Sequence, residues 1–414
     1  MNKTTGIDFL AEVVTNYNKG TCYLDKNNFK KAQAYIKKAL DQYEFKEGLV
    51  NIGNTYRAMG DDKNMMRCYL RALEPSVPYL ETPKDVKQDT IQHALNNLGL
   101  AYYTFGDDEK AIKTYTAAIK KDPTFWEAWW NCSTATLRQA SSGAIEKFPS
   151  GWEMYNARFL KSKPIKMKNK RDDLAYWKPG TKVKSIIVLV EQGIGDNIMF
   201  GRYIPRLREF ADEIYVQCDA SLECIFSDFK CVRDAIEIED IECAYPICSL
   251  GSCFDDIPAG DWLRGKFGSR SFADGFNVGI VWSGSPTHAN NAYRSTTVGR
   301  FSRLAKYCNL YSLDPTFKGS KYVTACGNKT WVDTAECING LDLVIGVDTS
   351  VMHMCGSLGH EGWLLQPYKE TDFRWGNGVR RSVWYDDIVV YENPQDWDYV
   401  FDCVERDLRE RVYL

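Results

Sequence analysis

The stretch Lys184–Phe200, KSIIVLVEQGIGDNIMF, decides how the larger part of this chain is read. Its apolar run Ile186–Val190 suits a parallel strand buried on both faces. Gly193 and Gly195 then allow a tight turn in which backbone amides approach a ligand closely. Asp196 follows at the start of a helix expected to run to Phe210, carrying Met199, Tyr203 and Leu207. A carboxylate so placed stands in the crevice beyond the carboxyl end of a strand, where open α/β sheets bind ligands. The same residue also reads as an ordinary helix N-cap, and the stretch alone leaves both readings open.

Working outward, strands and helices alternate from Lys184 to about Asp274, with EIYVQCD as the next strand, a helix near Leu222 and a weaker remainder. A second block opens with FNVGIVWSGS and continues with strands near Tyr311, at Leu341–Val347, at Glu361–Pro367 and from Asp387. Helices are expected at Phe301–Tyr307, Thr334–Asn339 and Ser350–Leu358. Two successive blocks of βα units predict two Rossmann-like halves, 184–275 and 276–414, with a ligand cleft between them. The last segment closes the second half as an amphipathic helix with Trp397, Phe401, Val404 and Leu408 on one face.

The first third, 1–140, has a different grammar. Gly20, Gly53 and Gly99 are each followed by a tyrosine at +3, and by apolar or small residues at +12, +16 and +19: Ala32, Ile36, Ala39; Met65, Tyr69, Ala72; Ala111, Tyr115, Ala118. This pattern resembles the tetratricopeptide repeat, two antiparallel helices per unit stacked into an array. The longer second spacing places an insertion around Pro75–Gln88, and a capping half-repeat begins at Trp129. Such an array offers a surface for a peptide, a partner or a homo-oligomer contact. The junction, 141–183, contains GWEMYNARF, a short helix with an aromatic face, and then six basic residues between Lys161 and Arg171. That run reads as a solvated linker or as a strip that contacts phosphates.

Composition narrows the function classes. The chain has 414 residues, a net charge of −3 and a pI near 6.0, so no global basic field calls for nucleic acid. The N-terminus lacks the apolar core of a signal peptide, and no run approaches the roughly 20 apolar residues of a membrane span. A cytoplasmic, soluble protein is expected. The 14 cysteines are scattered without a CxxC pair, and Cys243, Cys248 and Cys253 fall in a loop-like region with no histidine nearby. Reduced thiols and no metal site are expected.

One further stretch bears chemistry. In Asp342–Gly359, DLVIGVDTSVMHMCGSLG, a strand ends at Asp348-Thr349 and a helix begins at once. Free amides and the positive dipole end make an anion site there, with Thr349 and Ser350 at its mouth and His353 one turn on. Capping by Asp348 and a core position for His353 are the plainer alternatives. Together with EQGIGDNIMFGRYIP and VGIVWSGSPTHANNAYRST, this set resembles the heptosyltransferase-like glycosyltransferases of GT-B type fused to tetratricopeptide repeats; GWEMYNARF resembles their junction. The O-linked N-acetylglucosamine transferases are a more distant likeness.

The resemblance implies an inverting, metal-independent sugar transfer from a nucleotide-sugar co-substrate, with no tightly bound cofactor. It implies Asp196 as general base in a turn formed by Gly193, Gly195 and Asn197. It also implies Ser283, Gly284, Arg294, Asp348, Thr349, Ser350 and His353 as the donor-binding set. Asn291 and Tyr293 stand where relatives often carry charge, which leaves the donor's identity open. The acceptor could be a protein, a glycan or a hydroxylated base in DNA. The alternative of another class is a non-catalytic repeat scaffold with a degenerate transferase fold.

Overall fold

The computed structural model describes residues 4–80, 90–160, 174–234, 238, 240–288 and 290–413. The basic run Lys161–Arg171 and most of the expected insertion lie outside them. The described chain divides into a first unit that runs to Ala135 and takes in Leu160, and a second unit made of Thr136–Phe159 and the described residues from 174 on.

The first unit is helical: α1 (Thr4–Asp25), α2 (Phe29–Gln42), α3 (Lys46–Ala58), α4 (Asp62–Leu73), α5 (Thr90–Thr104), α6 (Asp108–Lys121) and the start of α7 (Trp126–Ser141). The glycine pattern has a steric origin. A Cβ on Gly20, Gly53 or Gly99 would come within 2.4, 2.5 and 2.7 Å of Ile36, Tyr69 and Tyr115, the residues at +16. The paired helices therefore touch where only hydrogen fits. Asn28, Asp61 and Asp107 start the second helix of each pair by accepting the backbone N–H of Lys31, Asn64 and Lys110. The described beginning of the insertion packs back on α3: Val77 and Leu80 are buried, and the Leu80 N–H donates to Glu47 at 3.0 Å.

In the second unit α8 (Phe148–Tyr155) is followed by two all-parallel sheets. The first contains β1 (Val183–Leu189), β2 (Ala211–Gln217), β3 (Lys230–Val232) and β4 (Cys243–Pro246) in the order β3-β2-β1-β4. Between β1 and β2 lie α9 (Ile194–Phe200) and a 3-10 stretch, Gly201–Glu209. The single helix expected to reach Phe210 thus tightens after Phe200, with Pro205 inside the tightened segment unable to donate a helical N–H. Cys243 lies in strand β4 and Cys248 in a buried turn after it, not in an open loop. Two cysteines within so short a strand-and-turn segment give no periodic signal.

The second sheet runs β10-β9-β8-β5-β6-β7, with β5 (Asn277–Val281), β6 (Asn309–Ser312), β7 (Val323–Ala325), β8 (Leu343–Val347), β9 (Gly362–Leu365) and β10 (Ile388–Tyr391). Its helices are α10 (Asn291–Arg294), α11 (Val298–Phe301), α12 (Trp331–Gly340), α13 (Ser350–Ser357) and α14 (Trp397–Tyr413). Every residue of β5 and β8 is buried, as fully covered parallel strands require. Val400, Phe401, Val404 and Leu408 of α14 complete this core. In both sheets the chain leaves the first strand to one side and returns on the other, so the switch points lie between β1 and β4 and between β5 and β8.

The junction sequence GWEMYNARF belongs to the core of this unit. Trp152 meets Tyr155, Phe200, Phe373 and Trp384 edge-on at 5.1–6.3 Å. Arg158, fully buried, donates to both Glu191 oxygens (3.0 and 2.6 Å) and to Ser249 (2.7 Å). Glu191 is the residue two past β1, so this ion pair fixes the root of the Gly193 turn.

Candidate active site

The carboxyl ends of β1, β5, β6 and β8, with part of the segment after β9, converge on a cleft of about 790 Å³. Gly193, Gly195, Asp196, Ser283, Gly284, Arg294, Thr349, Ser350 and His353 all line it, brought together from three separate stretches of sequence. The two halves meet closely here. A Cβ on Gly195 would come 2.7 Å from His353 Cδ2 and 3.3 Å from Ser350 Cα, so the Asp196 turn lies directly on the first turn of α13.

Asp196 is the third residue of α9, not its N-cap; Gly193 is the cap, and Asp196 Oδ2 accepts the Gly193 N–H at 2.8 Å. Its Oδ1 accepts from Arg374 Nη2. With 18% of its side chain accessible, it keeps an edge open to the cleft. Burial raises its pKa, an effect that Arg374 opposes. Asn197 turns away: it is buried, its Oδ1 accepts the Glu191 N–H (3.2 Å) and its amide donates to the Gly193 carbonyl (2.9 Å). It closes the turn and is not a cleft residue.

Across the cleft, Thr349 is the N-cap of α13, so Asp348 does not cap it. Thr349 Oγ1 is buried without a hydrogen-bond partner and lines the cleft beside Ser350 and Val351. An unpaired hydroxyl at a helix N-terminus is the donor set an anionic ligand takes up. Asp348 stands behind the wall, accepting from Trp375 Nε1 at 2.8 Å, with Arg294 Nη1 3.9 Å away. Burial raises the Asp348 pKa, and the neighbouring Asp372 raises it further. Arg294 lies across Gly284, where a Cβ would come 2.3 Å from Nη2. His353 is buried and stacked on Trp375 at 4.7 Å, and its Nδ1 pairs with the Tyr385 hydroxyl at 3.0 Å. Burial, and then Arg374, hold its pKa down to about 3, so the ring is neutral and its other edge faces the Gly195 turn.

Sequence reasoning missed Asp372 and Arg374, which line the cleft from the segment after β9. Arg374 Nη1 donates to both Asp372 oxygens (2.7 and 2.9 Å) and Nη2 to Asp196. Its two carboxylate partners outweigh burial and raise its pKa well above the usual value. Burial pushes Asp372 upward, but Arg374 outweighs it and the net shift is down. The signal that could have found them is TDFRWGNG, an acid and a base between aromatics, punctuated by Gly376 and Gly378, both with positive φ (68°). The segment is anchored on the end of α7. Arg138 Nη1 donates to the Thr371 carbonyl (3.0 Å), the Asn377 N–H donates to Ser142 Oγ (2.8 Å), and Trp384 Nε1 donates to Ser141 Oγ (3.0 Å).

No group of three metal-ligating side chains occurs among the described residues, nor does a helix long and apolar enough to cross a membrane.

Residues 14–44, 49–81 and 92–125 match family models described as tetratricopeptide repeat. No curated protein sequence matches the chain. Among solved structures, the chain is similar to a mutant of the Thermobaculum terrenum O-GlcNAc transferase, at 11% identity, with 98% of this chain and 92% of that one covered and a TM-score of 0.36. It is similar over 56% of its length, and 74% of the other's, to the iron-containing dodecameric glycosyltransferase TibC from enterotoxigenic E. coli, at 11% identity and a TM-score of 0.37. YrrB, a TPR protein with an unusual peptide-binding site, aligns with 35% of this chain and 69% of its own, at 19% identity and a TM-score of 0.28. The N-terminal helices are thus tetratricopeptide repeats, and a pair of parallel α/β sheets follows them.

Proposed function

We propose that this protein is an inverting glycosyltransferase of GT-B type that uses a nucleoside diphosphate sugar and an acceptor hydroxyl, the repeats recruiting the acceptor. The observation that carries the reading is the contact between the Asp196 turn and the first turn of α13 across Gly195. It brings the turn that carries the Asp196 carboxylate against the start of α13, whose amides and Thr349 hydroxyl suit an anion, and this supports the reading. In the reaction the acceptor oxygen bonds to the anomeric carbon while the bond from that carbon to the diphosphate breaks. The electron pair leaves with the nucleoside diphosphate, and the acceptor proton passes to Asp196. Arg294, Thr349 and the amides at the start of α13 take up the charge of the departing diphosphate without a bound metal. His353, neutral, serves as a hydrogen-bonding group there and not as a second cation.

The test is incubation with a panel of nucleotide-sugars and candidate acceptors, with released nucleoside diphosphate and the mass of the glycosylated product measured. Asp196→Asn should lower transfer by roughly 10²–10⁴. Failure to consume any donor, with nucleoside diphosphate still bound, would favour the second reading, a binding module. What recommends that reading is that Asp196 has both its oxygens engaged, by Arg374 and by the Gly193 N–H.

A further inference from the structure

Arg374 stands between two carboxylates that hold it unequally. Asp372 takes both its own oxygens to Nη1 and also accepts the Arg374 backbone N–H at 3.0 Å. Asp196 is met by Nη2 alone. Nε is buried without a partner, and the side chain, only 7% accessible, still lines the cleft together with Thr349 and Ser350. The segment itself is pinned: besides its anchors on α7, Gln366 Nε2 donates to the Gly376 carbonyl at 2.6 Å. The one bond the guanidinium makes to a carboxylate outside its own pinned segment is therefore the single Nη2 bond to Asp196.

The charges of the cleft make that bond a point of competition. Asp196, Asp314 and Asp372 line the cleft, with Asp348 behind its wall, against Arg294 and Arg374, so among the described residues lining it a diphosphate entering beside α13 meets no arginine free of a carboxylate. Among the described residues, the charged and titratable neighbours of Asp196 are Arg374 and Asp372 on the loop, Glu191 beyond β1, Tyr155 on α8, Cys248 after β4 and neutral His353 on α13. Arg374 is the one cation among them.

We propose that Arg374 is shared between base and donor: it holds Asp196 before the donor binds, then passes its Nη2 bond to the diphosphate and leaves Asp196 free to take the acceptor proton. This rests on the glycosyl-transfer reading. The arrangement couples the two halves of the reaction, because a carboxylate left beside Asp372 and Glu191 without its cation binds a proton more tightly and is a stronger base. It also keeps Asp196 from deprotonating an acceptor before a donor is bound.

The proposal is tested with the full chain by calorimetric titration of UDP, GDP, ADP and CDP in two buffers of different ionisation enthalpy. Asp196→Asn removes the competitor for Arg374 and should bind the nucleoside diphosphate about tenfold more tightly than wild type. Wild type should take up more protons on binding than Asp196→Asn, most strongly in the pH range between the bound and unbound pKa of Asp196. Equal or weaker binding by Asp196→Asn, or equal proton uptake, overturns the exchange while leaving the transferase reading intact. If wild type binds none of the four nucleotides, the donor reading itself falls and the exchange with it. Asp196→Ser makes the same prediction should the asparagine chain prove unstable in a thermal melt.

Discussion

Gly284→Ala separates the candidate anion site from the stability of the fold. The added methyl would come 2.3 Å from Arg294 Nη2, 2.7 Å from Cζ and 2.9 Å from Nε, and Gly284 does not occupy the left-handed region. The backbone therefore accepts alanine, and the guanidinium, the far end of a flexible side chain, must retreat by more than about 1 Å to reach ordinary contact near 3.5–4.0 Å. Moving it off its rotamer costs about 0.5–1.5 kcal/mol, which is small for a unit of this size. Withdrawing a charged hydrogen bond from a phosphate costs about 1.5–3 kcal/mol, or roughly 10- to 150-fold in Kd. Titration of the nucleoside diphosphate into Gly284→Ala, Arg294→Ala and the double variant, with thermal melts, measures both quantities. The double variant should bind no worse than Arg294→Ala, because the glycine acts only through the arginine. Unchanged affinity in Gly284→Ala, or losses that add in the double variant, would refute the placement of Arg294 at the ligand.

Arg158→Met leaves Glu191 buried without its cation and should destabilise the second unit by about 3–5 kcal/mol, whereas Arg158→Met with Glu191→Leu should recover most of the loss; denaturant unfolding followed by tryptophan fluorescence reads both. His353, held down to about 3, refuses below pH 6.5 a proton that the unfolded chain accepts. Its contribution to stability is thus present above pH 6.5 and fades as pH falls toward 3, at up to about 1.4 kcal/mol per pH unit. His353→Gln should flatten the stability profile between pH 7 and 5 by that slope; parallel profiles would contradict a neutral buried ring. Transfer should withstand EDTA, since Arg294 and the start of α13 stand where the diphosphate charge would collect; loss of activity that Mg²⁺ restores would show otherwise.

What the sequence determined by itself is what periodicity and punctuation encode. Apolar runs such as Ile186–Val190 and Leu343–Val347 report burial on both faces, and in an uninterrupted βα alternation that means parallel sheets. The glycines at Gly20, Gly53 and Gly99 report a helix-to-helix contact that repeats at one offset, and the structure shows that contact at the residue sixteen places on. Asp196 and Thr349 were legible because each stands in the turn or at the helix start just beyond a buried strand, whereas Arg294, at the end of α10, was marked only by the family resemblance. Where local signals compete, the reading failed: Pro205 gives no hint of how early α9 tightens, and Asn197 looks like a ligand-binding residue until its amide is seen closing the Gly193 turn. Arg374 and Asp372 had no periodicity to betray them. Their role depends on which strand ends the order β9-β8-β5 brings beside β1, and on the anchors that Arg138, Ser141 and Ser142 supply from more than two hundred residues earlier in the chain. Local pattern reports whether a side chain is buried. Only the tertiary structure decides which charge it is buried against, because that pairing is set by desolvation and distance between segments that the sequence keeps apart.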